Sequence, residues 1–404
     1  MSVLIAIVGL AVLILVHEAG HFWTAIAVGM HPRRFYIGFP PPVVKVRRKG
    51  IEYGIGAVPL GGYVKIPGMH RPAPSDVDVH FARLLQEAPQ LVGPLERIKR
   101  QLAVGDLVAA RDTLPELRDA VDAALLRPDR RRAGERGLAE LADGLADDAY
   151  WRQPTWKRVA VILAGPGTNF VLAIVVFAIL FMIGGGKASR TVDHVLANRP
   201  AAAIGLKPGD EILEIDGKAV TASEIPDAIA NSSGRPIRVL VLRGDHLRTL
   251  GPVRPQKIQG AYRLGFVLAG EKLTFGESAW ESLKLTGLVT KEIGRSLGNL
   301  VHGQGRKDIS SPVGIVQGSS DALKQGVQTY LWVLGLISLS LGLLNLLPLL
   351  PLDGGHIAFS LVEGIRGRSV GREVYERVSV IGIALVLFLF FIGLSNDIGR
   401  LDGG

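Results

Sequence analysis

Leu15–Trp23 reads LVHEAGHFW and closes an apolar run, Ser2–Val16, that carries no charged residue. The run alone is too short for a bilayer, which takes roughly 20 mostly apolar residues per helix. It becomes long enough if the helix continues through His17, Glu18 and His21 to about Val28. On such a helix His17 and His21 stand at i and i+4, so both imidazoles leave one face about a turn apart. That spacing suits two nitrogen ligands at about 2.0–2.1 Å from a single zinc ion. Glu18, next in the chain, is placed to take a proton from a water at the ion without ligating it. Two histidines and a glutamate in an apolar helix cost several kcal/mol unless a metal, partner groups or a water cavity compensates. A cleaved signal peptide is the other reading of this end, and the missing basic n-region and the ionisable cluster argue against it.

A catalytic zinc usually takes three protein ligands and keeps one position for water. The local continuation HExxHxxGxxH fails, because Thr24 stands where Gly is needed and Ala27 where His is needed. Glu52 lies in a strand-like segment beside Tyr53. Asp353, in NLLPLLPLDGGH, is the better candidate: it follows an apolar run and is the sole carboxylate between Asp321 and Glu363. Gly354 and Gly355 beside it let the backbone approach another helix closely. His356 is a nearby competitor. The alternative for Asp353 is an ordinary turn residue, since Asp-Gly favours turns.

The remaining composition agrees with a membrane setting. The 404 residues are 48% hydrophobic and 21% charged, with a mean hydropathy of +0.30, and the apolar residues fall in blocks. Val159–Ile183, residues 330–352 and Val378–Ser395 form three further apolar segments. The absence of cysteine excludes disulfide scaffolds, zinc ribbons, thiol nucleophiles and iron–sulfur clusters. The net charge of +9 suits anionic headgroups better than nucleic acid. Arg33, Arg34, Lys45, Arg47, Arg48 and Lys49 follow the first segment, Arg152, Lys157 and Arg158 precede the second, and Arg366, Arg368, Arg372 and Arg377 lie between the third and fourth. Four crossings put all of these on the cytoplasmic side and both termini outside; Lys187 and Arg190, after the second segment, run against that pattern.

Between the apolar blocks the sequence reads as water-soluble protein. Residues 31–70 predict a β-hairpin at or in the bilayer, turning at Arg47–Gly50. Residues 71–150 predict a helical cytosolic insert, with apolar spacing at Leu114, Leu117, Val121 and Leu125. Residues 187–270 contain GLKPGDEIL and IDGK with turns at Lys207–Asp210 and Asp216–Gly217, a helix candidate at Ala222–Asn231 and a strand at Ile237–Arg243. This stretch resembles a PDZ domain of the protease-associated kind, which binds extended peptides by adding a strand to a sheet edge. Residues 271–327 read as an amphipathic helix and loop.

Taken with HEAGH, three further segments carry a resemblance to the site-2 protease family of intramembrane zinc metalloproteases, in its bacterial regulator-of-sigma-E branch. VPLGGYVKIPG (Val58–Gly68) is similar to its membrane-reentrant β-loop, AGPGTNF (Ala164–Phe170) to its GPxxNF motif, and NLLPLLPLDGG (Asn345–Gly355) to its NxxPxPxLDGG motif. The resemblance implies Zn²⁺ on His17, His21 and Asp353, Glu18 as catalytic base, and Asn345 and Asn169 as substrate-binding residues. The implied fold is a polytopic α-helical membrane protein with four transmembrane helices, a membrane-associated β-hairpin and an inserted α+β PDZ domain. Its transmembrane helices are expected over 1–30, 155–185, 328–353 (bearing LDGG) and 376–396. The implied function is hydrolysis of peptide bonds within transmembrane segments of single-span membrane proteins, such as anti-sigma factors already cut outside. The implied partners are those substrates, the lipid bilayer and a peptide at an extracytoplasmic PDZ domain, with no nucleic acid. The implied location is the bacterial cytoplasmic (inner) membrane. A single PDZ unit and the long insert depart from the family pattern. A non-proteolytic membrane scaffold that binds partners through the PDZ domain is the rival reading.

Overall fold

The computed structural model describes residues 1–184, 188–258, 260–302 and 309–402, so Lys187 lies outside the described residues. The chain divides into two compact units. One comprises Met1–Leu172, Val289–Asp321 and Leu336–Gly404, the other Ala173–Leu288 and Ala322–Gly335.

In the first unit, α1 (Ser2–Ala27) carries HEAGH within an unbroken helix. Two antiparallel strands follow, β1 (Arg34–Arg48) and β2 (Ile51–Lys65), longer than the sequence pattern suggested because the pair folds over itself. Arg34–Ile37 is in register with Glu52–Ile55 and also with Lys65–Gly62, while Val44–Arg48 pairs only with Ile51–Ile55. Gly62–Lys65 is therefore left as an edge. Five helices come next: α2 (Pro74–Phe81), α3 (Val92–Val104), α4 (Leu107–Asp112), α5 (Leu114–Ala123) and α6 (Pro128–Leu145). They enclose an apolar core of their own, in which Phe81, Leu84, Leu91, Ile98, Leu117, Val121 and Leu145 are fully buried. The two ends of this insert are tied together, Tyr150 N–H donating to Pro67 O (2.8 Å) and Trp151 N–H to Gly68 O (3.1 Å).

Helix α7 (Thr155–Met182) packs on α1 through small residues. A Cβ on Gly20 would collide with the Ala164 backbone, and one on Gly165 with the His21 ring. Close helix approach through glycine is the usual solution where no hydrophobic driving force separates helix from lipid.

The second unit holds β3 (Ala188–Val195), α8 (Pro200–Ala203), β4 (Glu211–Ile215), β5 (Lys218–Ala219), α9 (Ile225–Asn231), β6 (Ile237–Arg243), β7 (His246–Val253), β8 (Gln256–Ile258), β9 (Ala261–Arg263) and β10 (Phe266–Gly270). The main sheet runs β10-β3-β4-β6-β7 with β5 paired to β4, so β10 is an edge strand. Its core is built on Ile212, Ile215, Ile225, Val239 and Val241. Asp210, fully buried, is held by Arg243 at 2.6 Å.

The chain continues with α10 (Phe275–Val301), α11 (Pro312–Gln325), α12 (Val327–Asn345), α13 (Asp353–Arg366) and α14 (Arg372–Asp402). Among the described residues, four helices are long and apolar enough to cross a membrane: Ser2–Ala27, Thr155–Met182, Val327–Asn345 and Glu373–Gly399. The third differs from the sequence expectation of 328–353. Pro348 and Pro351 remove backbone donors from the following turn, so the helix stops at Asn345 and Asp353 opens α13 instead of closing α12. Gly354 and Gly355 sit against the backbone of Leu346–Leu350, where a Cβ would have no room.

Candidate metal and catalytic centre

α1 and the first turn of α13 bring His17, His21 and Asp353 together, with one potential ligand atom of each lying within 4.8 Å of the others. The distances are tighter than that bound. His17 Nε2 lies 3.1 Å from Asp353 Oδ2, His21 Nε2 lies 3.3 Å from the same oxygen, and the two Nε2 atoms are 3.2 Å apart. A tetrahedral zinc with ligands at about 2.0–2.1 Å spaces them by about 3.3–3.4 Å, so the triangle matches one face of such a site.

The donor chemistry agrees. His21 Nδ1 lies 2.8 Å from Val161 O. A carbonyl can only accept, so Nδ1 carries a hydrogen, and in the neutral ring Nε2 then presents a lone pair. Asp353 Oδ2 is buried without a hydrogen-bond donor. Bare lone pairs facing each other at this distance repel, and a cation among them reverses that sign. The three residues present thus fit a zinc ion.

Glu18 stands between this cluster and the hairpin. The Val64 backbone N–H donates to its carboxylate. Val64 belongs to the Gly62–Lys65 edge, so the outward-facing backbone of that edge is turned to the Glu18 side chain. On the far side of Val64, Lys65 pairs with Glu140 (2.7 Å) and Asp143 (2.8 Å) of α6. Burial alone would depress the Lys65 ammonium, but hydrogen bonds to these two carboxylates override it and raise its pKa. Arg33 joins the same group, bonding Asp143 at 2.9 Å and Asp148 at 3.0 Å.

Asn345, at the end of α12, places its Nδ2 3.5 Å from His17 Nε2. Asn169 is fully buried on α7, 3.1 Å from His17 Nδ1. Glu52, the alternative carboxylate, is engaged by the Tyr36 hydroxyl and by Lys45 at 3.2 Å, and His356 by the Tyr375 hydroxyl; neither belongs to the ligand group. Behind α13, Arg158 bonds Glu363 (2.6 Å) and Ser360 O (3.1 Å), and Tyr150 shares a hydrogen bond with Ser360 Oγ (2.9 Å). Burial pushes the Tyr150 phenol up to about 12, so it stays a neutral partner. The Val64 and Val161 contacts have no sequence signature, since backbone donors and acceptors are common to every residue, and the Lys65 ion pairs join residues far apart in the chain.

Compared with known protein families, residues 5–389 match Peptidase family M50. The chain belongs to peptidase family M50. This M50 protease is similar to zinc metalloprotease RasP of Geobacillus kaustophilus, 31% identical over 424 residues that cover 99% of this chain and 98% of the relative. It is similar also to metalloprotease MmpA of Caulobacter vibrioides, 30% identical over 426 residues covering 97% and 94%. The M50 protein is thus a zinc metalloprotease, and with its four apolar helices a multi-pass membrane protein. The family and cofactor expected from the sequence are both upheld.

Proposed function

We propose that this protein is an intramembrane protease that cuts peptide bonds within the transmembrane segments of single-span membrane proteins, anti-sigma factors already cut outside being the model substrates. The observation that carries the reading is the position of the His17–His21–Asp353 cluster. Two of its members belong to the apolar helix Ser2–Ala27, which is long enough to span a bilayer, and not to a water-soluble domain.

His17, His21 and Asp353 would hold the ion, presenting Nε2, Nε2 and Oδ2. Zinc bound there supplies Lewis acidity, polarising a water and a peptide carbonyl. Glu18 takes the proton from the attacking water and returns it to the leaving amine. The Val64 N–H keeps its carboxylate oriented meanwhile.

A helical substrate offers no free carbonyl, because its backbone groups are already paired in lipid. The Gly62–Lys65 edge beside Glu18 receives the unwound segment as an added strand, with Asn345 bonding its backbone at the end of α12. The β3–β10 unit, with β10 at its edge, acts as a PDZ domain outside the membrane and selects substrates by what remains of their ectodomains. Both termini lie on that side of a bacterial inner membrane, and the basic flanks face the cytoplasm.

The test is cleavage of a tagged single-span substrate in vesicles by wild type, Glu18→Gln and Asp353→Ala, with zinc per chain measured in parallel. Glu18→Gln is expected to keep zinc and lose about 10²–10⁴-fold in rate. Asp353→Ala is expected to lose both. Equal cutting by wild type and Glu18→Gln overturns the assignment of the base, whereas no cutting by either chain and no tightly held zinc favours the scaffold reading.

A further inference from the structure

We infer that Asn169 is a positioning residue for His17, its carboxamide oxygen accepting the His17 Nδ1–H and so keeping Nε2 a lone pair aimed at the ion. The inference rests on His17 being a ligand, as proposed above. His17 is buried, and its Nε2 is the atom that meets His21 Nε2 and Asp353 Oδ2. A neutral imidazole has one ring hydrogen, so an Nε2 ligand puts that hydrogen on Nδ1. A buried N–H needs an acceptor.

The group facing Nδ1 is the end of the Asn169 carboxamide, 3.1 Å away. The oxygen and nitrogen ends of a carboxamide have the same shape, and their partners decide which faces the ring. With Nδ2 towards the ring, two donors meet and Oδ1 is left buried with no partner. With Oδ1 towards the ring, the hydrogen bond forms, and the end left facing away is Nδ2.

Asn169 is well held for this task. It is fully buried, and Ser338 Oγ on α12 donates to its backbone carbonyl at 2.8 Å. A polar side chain inside an apolar spanning helix is costly unless it is bonded. The second histidine shows the same device in another form, His21 Nδ1–H donating to Val161 O from the same helix. α7 therefore orients both imidazoles, once through a backbone carbonyl and once through a side chain. Partners of this kind set ligand orientation and basicity, and losing one typically costs 10–100-fold in metal affinity.

The experiment measures zinc affinity of the full-length chain in detergent by competition with a chromogenic chelator, for wild type, Asn169→Asp, Asn169→Leu and His17→Ala. Asn169→Asp keeps an acceptor and is expected to bind zinc at least as tightly as wild type. Asn169→Leu is expected to bind about 10–100-fold more weakly. If Asp weakens binding as much as Leu, or Leu has no effect, the inference is overturned. Should Asn169→Leu fail to fold, the ¹⁵N shifts of the His17 ring in the zinc-loaded wild type decide: a protonated Nδ1 is expected, and a protonated Nε2 overturns it. His17→Ala separates the two readings. Unchanged zinc affinity in that variant removes His17 from the ligand set, whereas loss there beside unaffected Asn169 variants removes Asn169 alone.

Discussion

Gly62 lies so close to Glu18 that a Cβ built on it would overlap the Glu18 side chain. The proposed base is therefore pressed against the hairpin edge by the absence of a side chain, and Val64, two residues on, bonds its carboxylate. Gly62→Ala should displace the glutamate while leaving the three proposed ligand side chains untouched. A misplacement of about 1 Å costs on the order of 10²-fold in rate. The expected result is that loss of cleavage with zinc per chain unchanged. A variant that loses zinc as well, or keeps its rate, contradicts this coupling.

Lys65 extends the same relationship to the helical insert, because it follows Val64 directly and is gripped by Glu140 and Asp143. Asp143 is only 12% exposed and also accepts from Arg33, so it is the centre of the clamp. Asp143→Asn should destabilise the joint by about 1–3 kcal/mol, between the exposed and buried extremes for ion pairs. Hydrogen exchange at residues 62–65 should quicken, and cleavage should fall several-fold, with zinc affinity kept. Unaltered exchange at the edge would show that the insert is energetically separate from the hairpin.

What was legible in the sequence follows the range of the interactions. His17, Glu18 and His21 could be read because an i, i+4 pair shares a helix face whatever the rest of the chain does. Asp353 could be picked by composition, but not its place at the start of α13, which depends on Pro348 and Pro351 ending α12 early. The double register of Arg34–Ile37 was hidden because no alternation marks a strand that pairs on two sides. Asn169 is fully buried against a histidine 152 residues earlier, a contact that only tertiary packing creates.

The β-rich unit contains its own pH-sensitive strut. Burial alone would raise the Asp210 carboxyl, but the Arg243 guanidinium and the Lys207 N–H win and hold it below the usual carboxylate range. A carboxylate with a depressed folded pKa contributes stability that is complete above its unfolded value. That stability is lost as pH falls through the folded one. Asp210→Asn should therefore lower the opening free energy of the 188–270 region by about 1.5–3 kcal/mol at pH 7 and by little at strongly acidic pH, where wild type is itself protonated. Hydrogen exchange of the full-length chain at both pH values measures this. An equal penalty at both would assign the loss to shape and not charge.

Zinc removal should reach beyond the chemistry to the packing of α13 on α1. Asp353 Oδ2 and the imidazole nitrogens lie 3.1–3.3 Å apart in a buried setting, so taking a cation from among them would leave their lone pairs opposed. Chelation of wild type should abolish cleavage, quicken exchange over 346–356 and lower the thermal midpoint, with zinc restoring all three. A ligand at about one hundred times its Kd stabilises the folded form by about 2.7 kcal/mol, so the midpoint should rise with free zinc. Asp353→Ala should show no such zinc-dependent shift at the same concentrations, since two imidazoles alone leave the ion under-ligated. A zinc-dependent midpoint of wild-type size in that variant would move the third ligand to another residue.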